Sequence, residues 1–167
     1  MEKRYNIAID IMGGDNAPIE IVKGAVESLL ENEKTNLTLI GQEEIINKEL
    51  LKYKYDKNRI NIVNATEIIE THDVPTKAIR TKKDSSMVVG FNLLKENTVD
   101  AFISAGNTGA LLTGSTIKVG RLEGIERPTL GTIVPTQKNY MFLTDCGANV
   151  DCKPSYLVQF AKMGSVY

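Results

Sequence analysis

Short apolar runs of strand length alternate with stretches of helical periodicity from the first residues onward, and a glycine-bearing turn follows two of those runs. Together these observations predict an α/β fold in which helices cover both faces of a largely parallel sheet. The 167-residue length suits one domain, 1–167, with a single sizeable core.

Tyr5–Ile9 reads as the first strand. Gly13-Gly14-Asp15-Asn16 forms a turn, Asn16 is placed to cap a helix, and Pro18 falls in that helix's first turn, where a missing N–H costs nothing. Val22, Ala25, Val26, Leu29 and Leu30 then share one face, which predicts a helix to about Glu33 lying on the sheet. Asn36–Ile40 is the second strand, Gln42 to about Lys54 a helix, and Arg59–Val63 the third strand. Residues 65–84 are polar and hold Pro75 and the single histidine, His72. They read as a surface excursion with a short helix at Thr76–Arg80, bordering a site or an interface. Ser85 caps a helix whose apolar stripe is Met87, Val88, Phe91 and Leu94. Ala101–Ser104 is the fourth strand, and a helix to about Leu122 follows the turn after it. Leu130–Val134 and Met141–Thr144 are joined by only a short turn, which favours an antiparallel hairpin because a parallel return needs a long crossover. Lys153–Tyr167 is the last helix, with Leu157, Phe160, Ala161 and Gly164 as its buried face. This order of elements is that of a three-layer α/β/α, Rossmann-like sandwich with a mostly parallel sheet.

Composition excludes several function classes. Twenty Lys and Arg stand against 21 Asp and Glu, so the net charge of −1 provides no whole-molecule field for nucleic acid. The N-terminal apolar run, Tyr5 to Met12, is broken by Asn6 and Asp10 and is too short for a signal peptide or a membrane span, which points to the cytoplasm. Cys146 and Cys152 form neither a zinc pattern nor a disulfide framework.

Three loops carry the chemistry, each just past a strand's C-terminal end, where open α/β sheets bind ligands: Asp10–Ala17, Ser104–Ala110 and Asp145–Pro154. In the second, Gly106 and Gly109 let backbone approach a ligand, the following helix start offers unpaired N–H groups, and Ser104, Asn107 and Thr108 add donors, a pattern that suits an anion. The same residues also suit a tight turn that binds nothing. In the third, Lys153 and Asn149 are donors toward a developing oxyanion, with Asp145 beside them; plain capping by Asn149 and Asp151 is the alternative. The scattered carboxylates predict no obligatory metal. His72 is read as a solvated loop residue, and a Cys–His nucleophile pair is disfavoured. Neither a Walker loop nor a dinucleotide fingerprint is present, which demotes a nucleotide-dependent oxidoreductase.

Asp10-Ile11-Met12-Gly13-Gly14-Asp15-Asn16-Ala17-Pro18, Ser104–Ala110 and Asp145–Pro154 resemble, in order and spacing, the signatures of the bacterial phosphate acyltransferase family. Lys82-Lys83-Asp84-Ser85-Ser86-Met87 and Met163-Gly164-Ser165 are similar to it as well. The likeness covers the whole chain and about the first half of a family member. It implies a fold like that of phosphotransacetylases and isocitrate dehydrogenases, and transfer of a fatty acyl group from acyl carrier protein to inorganic phosphate without a cofactor. It further implies a cytoplasmic homodimer that visits the membrane surface transiently and supplies glycerol-3-phosphate acyltransferase in phospholipid synthesis. Carried onto this sequence, Ser104, Gly106, Asn107, Thr108 and Gly109, with Asp10, Gly13, Gly14 and Lys83, become the phosphate-binding set, and Asn149, Lys153 and Asp145 the acyl-transfer set. Ile11, Thr144 and Cys146 depart from the family pattern without removing a polar group. The alternative reading is a non-catalytic half-domain that holds phosphate or carrier protein without turnover.

Overall fold

A second strand buried on both faces organises the first part of the chain. In the computed structural model, which describes residues 3–147, 149 and 151–166, the elements run β1 (Tyr5–Asp10), α1 (Ile19–Glu31), β2 (Thr35–Gly41), α2 (Glu43–Leu50), β3 (Ile60–Asn64), α3 (Pro75–Thr81), α4 (Ser86–Lys95), β4 (Ala101–Ile103) and α5 (Thr108–Gly114). They continue with β5 (Gly131–Pro135), β6 (Tyr140–Thr144) and α6 (Pro154–Val166). Residues up to Val119 form one compact unit and those from Gly120 a second.

The first unit holds a four-stranded parallel sheet in the order β3-β2-β1-β4. Leu37 and Leu39 of β2 point into one cluster with Val22, Ala25, Val26 and Leu29 of α1 and Ile46 and Leu50 of α2. Ile40 and Ala8 point the other way, against Val89, Leu93 and Leu94 of α4 and Phe102 of β4. Both faces of β2 are therefore buried, Thr38 included, as expected of a central strand of a parallel sheet. Each large side chain enclosed this way contributes roughly 1.5–3 kcal/mol relative to exposure. The chain leaves β1 for β2 and β3 on one side and returns to β4 on the other, so the sheet reverses direction between β1 and β4.

Helix starts and ends shift from the sequence expectation for local reasons. α1 begins at Ile19 with Pro18 in the cap position and no side-chain cap, while the Asn16 carbonyl accepts from the Glu20 N–H at 3.2 Å, so Asn16 is not the cap. α2 stops at Leu50 because the chain turns there and brings Tyr53 and Tyr55 back against the α1 and α2 cluster. α5 passes into a π-helical turn, Ser115–Val119, rather than running on as one α-helix to Leu122. Ser85 caps α4 as its sequence position indicates, accepting from the Val88 N–H at 3.3 Å.

In the second unit β5 and β6 form the antiparallel hairpin, with Gly131 opposite Thr144. Phe160 of α6 is buried, and a Cβ added at Gly164 would lie 3.0 Å from the Phe142 ring of β6. Leu157 and Ala161, predicted to be buried, are exposed, Leu157 by 57%. On this helix Gly164 lies against Phe142 and Thr144 of β6. The last helix position in the sequence reading, Tyr167, and residues Ala148 and Val150 of the third loop lie outside the described residues. No helix among the described residues is long and apolar enough to cross a membrane.

The polar stretch 65–84 is ordered by side-chain to backbone bonds. The Asp84 carboxylate accepts from the Thr66 N–H at 2.9 Å and from its hydroxyl, and the Glu67 carboxylate accepts from the Asp84 N–H at 2.9 Å. The Lys82 ammonium donates to the Ile68 carbonyl at 2.7 Å and to the Asp73 carboxylate. The Lys82 bond holds Asp73 below its ordinary pKa, as the Thr66 hydroxyl does Asp84. A carboxyl with a depressed folded pKa stabilises above its unfolded value, near 3.9, and loses that contribution as pH falls through the depressed one. Carbon-detected NMR titration is expected to find both carboxyls ionising below that value. Order at the Thr66 and Glu70 amides should persist at about pH 5 and be lost in more acid solution.

Candidate functional site

The reversal between β1 and β4 leaves their C-terminal ends side by side, the place where open sheets form a ligand crevice. Asp10 ends β1 and is 2% exposed. Its Oδ2 accepts from the Ser104 hydroxyl at 2.7 Å, and its Oδ1 from the Met12 N–H at 3.1 Å. The Ser104 oxygen in turn accepts from the Gly106 N–H at 3.1 Å. One buried carboxylate thus ties the turn after β1 to the turn after β4.

The glycines follow from this closeness. A Cβ on Gly13 would lie 2.5 Å from Asp10 Oδ2 and 3.0 Å from the Gly106 nitrogen, and one on Gly14, whose φ is +106°, would meet Ala105 at 3.1 Å. Both are needed for turn to pack on turn.

Asn107 is the N-cap of α5, its Oδ1 accepting from the Ala110 N–H at 2.9 Å. Its Nδ2 lies 3.2, 3.0 and 3.2 Å from the carbonyl oxygens of Glu70, Thr71 and Asp73. The polar excursion is therefore drawn onto the glycine turn, and a Cβ on Gly109 would meet the Pro75 ring at 2.8 Å.

These contacts correct parts of the sequence reading. The Gly106 N–H faces Ser104 and is not free for an anion, the Asn107 amide faces the excursion, and Asp10 presents a carboxylate, which repels an anion, to Ser104 and Met12. What remains open is backbone: among the described residues the N–H groups of Asn107, Thr108 and Gly109 have no acceptor. Lys83 is exposed, and no hydrogen bond or ion pair joins it to the turn. His72 is exposed on the excursion.

In the second unit, Asp145 follows β6 with φ +56°, and its N–H donates to the Leu130 carbonyl at 2.7 Å. The Asn149 amide nitrogen donates to Asp145 Oδ1 at 2.7 Å and to the Pro128 carbonyl at 3.3 Å, while its oxygen accepts from Arg127 Nε. Both Asn149 N–H groups are therefore engaged, so Asn149 orients its neighbours and is not an open oxyanion donor. Lys153 is exposed, its ammonium 5.9 Å from the Tyr156 ring centre. Cys152 Sγ lies 3.9 Å from Asp145 Oδ2, and burial followed by the Asp145 charge pushes its pKa up. A thiol held protonated is a poor nucleophile. Arg127, which the sequence reading did not single out, belongs to this cluster. Its place was implied by the hairpin, because pairing Gly131 with Thr144 sets the residues before β5 against those after β6.

Comparison with known proteins follows these lines. The family model described as fatty acid synthesis protein matches residues 5–167. A phosphate acyltransferase of Clostridioides difficile is 54% identical over 162 residues, covering 96% of this chain and 47% of that protein. One of Clostridium beijerinckii is 50% identical over 161 residues, 96% and 48%. The chain spans about half the length of the curated relatives it matches. Among solved structures, a phosphotransacetylase from Streptococcus pyogenes superposes with a TM-score of 0.66 at 18% identity, covering 96% of this chain and 52% of that one. The EutD phosphotransacetylase from Staphylococcus aureus gives 0.64 at 16%, covering 95% and 51%. The fold is thus the mostly parallel α/β fold of phosphotransacetylases.

Replacing Asp10 with Ala leaves the Ser104 hydroxyl and the Met12 N–H without their acceptor in a buried place. Denaturant unfolding is expected to show a loss of about 1–3 kcal/mol. Unchanged stability would mean that the two turns are held by something else.

Proposed function

The chain belongs to the fatty acid synthesis protein family, and on that premise we propose that it is the N-terminal part of one phosphate acyltransferase domain. Its reaction moves a fatty acyl group from acyl carrier protein to inorganic phosphate, giving acyl phosphate for phospholipid synthesis. The observation that carries this reading is the set of open amides at Asn107, Thr108 and Gly109, set at the sheet's reversal in a chain about half identical to phosphate acyltransferases. Backbone amides at a turn into a helix suit a small tetrahedral anion, since they approach closely and carry no counter-charge of their own.

Chemically, an oxygen of the bound phosphate attacks the thioester carbonyl carbon and forms the new C–O bond. The tetrahedral oxyanion then collapses, the C–S bond breaks, and the carrier leaves as a thiolate that takes up a proton. Lys153 is the cation of the acyl-transfer loop, and Asn149 and Asp145 are the residues that hold that loop in shape. Asp10, Gly13, Gly14 and Ser104 shape the phosphate turn, and Gly106 and Asn107 hold it through their bonds to Ser104 and to the excursion. Catalysis comes from holding the reactants together, and the reaction as written needs no cofactor. Burial and the Asp145 charge, which push the Cys152 thiol up, disfavour that one thiol as an acyl acceptor. The same reading makes the protein a cytoplasmic homodimer that meets the membrane surface transiently and passes acyl phosphate to glycerol-3-phosphate acyltransferase.

The test is phosphate-dependent acyl phosphate formation from a long-chain acyl carrier thioester. Lys153→Ala should lower turnover by about a hundredfold or more with an unchanged melting temperature. Asn107→Ala should lose both turnover and stability, because it releases the excursion and the α5 cap. The variant lacking both cysteines should keep its activity, and an isolable acyl-cysteine would overturn the direct mechanism.

A further inference from the structure

An open polar pocket in the second unit is lined by Arg127, Asp151, Cys152, Lys153 and Tyr156. It lies past the end of β6 and at the start of α6, a thirteen-residue helix whose first-turn N–H groups add positive potential. Arg127 is fixed there: its Nε donates to Asn149 Oδ1, and Asn149 is anchored in turn on Asp145 and the Pro128 carbonyl. That single contact leaves both terminal guanidinium nitrogens without a protein acceptor among the described residues. Lys153 likewise has no ion pair among them, its ammonium resting near the Tyr156 ring. Two cations therefore share one opening with a single carboxylate, Asp151, and neither is neutralised by it through an ion pair.

From this geometry we infer that the pocket is an oxyanion site for a phosphate group, with Arg127 as its principal ligand and Lys153 as the second. A guanidinium held by its Nε presents its remaining N–H groups as a planar fork, which matches two oxygens of a phosphate. The ammonium opposes a third oxygen as a point charge, and the Tyr156 hydroxyl adds a neutral donor at the rim. Two sources present this chemistry: free inorganic phosphate, or the phosphodiester that attaches a carrier's pantetheine arm. The choice of those two sources rests on the acyl-transfer reading above, whereas the oxyanion site rests on the pocket itself.

The test is titration of this chain by calorimetry with inorganic phosphate, with 4′-phosphopantetheine and with unphosphorylated pantetheine. At least one phosphate-bearing probe should bind and pantetheine should not, and Arg127→Lys and Lys153→Gln should each weaken that binding about tenfold. Arg127→Lys keeps the charge and removes the fork, and Lys153→Gln removes no hydrogen bond, so a fold defect is not the expected cause of loss. Preference for inorganic phosphate assigns the site to the free ion, and preference for 4′-phosphopantetheine assigns it to the carrier arm. Absence of binding by either phosphate probe, equal binding of pantetheine, or unchanged binding in both variants overturns the site. Acyl phosphate formation by the unsubstituted chain, alongside phosphate binding that is unchanged in both variants, sinks this site and spares the acyl-transfer reading. Variant-sensitive binding with no acyl phosphate formed does the reverse.

Discussion

The bond from the Ser104 hydroxyl to the buried Asp10 carboxylate is the constraint on which the first unit's functional end depends. A carboxylate that is 2% exposed must have donors, and here they come from two different turns. That requirement holds the ends of β1 and β4 at one distance and forces Gly13 into the space beside Gly106. It also fixes the Ser104 proton on Asp10, which leaves the Ser104 oxygen free to receive the Gly106 N–H. The glycine turn is thereby set at its first residues, and its open amides begin only at Asn107.

Asn107 supplies the other half of that arrangement. By capping α5 with its oxygen and collecting excursion carbonyls with its nitrogen, it links a helix start to a loop with little apolar content. The excursion needs such links, since among the described residues Ala65, Ile69, Ala78 and Ile79 are all that it contributes to the core clusters. The Lys82 bonds to Asp73 and Ile68, and the Thr66, Glu67 and Asp84 knot, perform the same task farther along.

Much of the fold was legible because periodicity reports burial directly. β2 reads as a strand with two buried faces, and the stripe through Val22, Ala25, Val26 and Leu29 reads as a helix on a sheet. The short turn between β5 and β6 gave the hairpin its sense. The buried side of α6 was legible only in part: Phe160 is buried as its spacing indicates, but Leu157 and Ala161 are exposed, because a helical pattern shows which residues share a face and not what covers that face. Donor chemistry was harder still. A sequence marks Asn107, Asn149 and Gly106 as able to donate, but whether a donor faces a ligand or a neighbouring loop depends on contacts made across 21 to 37 residues, or on an acceptor two or four residues away. Arg127 was overlooked for a related reason: it gains meaning only once the hairpin places it against Asn149.

On the proposed function, backbone rather than side chains receives phosphate in the turn after β4. Amide NMR during titration of the chain with inorganic phosphate tests this most directly. The account predicts saturable shifts at Asn107, Thr108 and Gly109, with smaller ones at Gly106 and Ala110, whose N–H groups already have acceptors. Phosphate that left those three amides unmoved would contradict it.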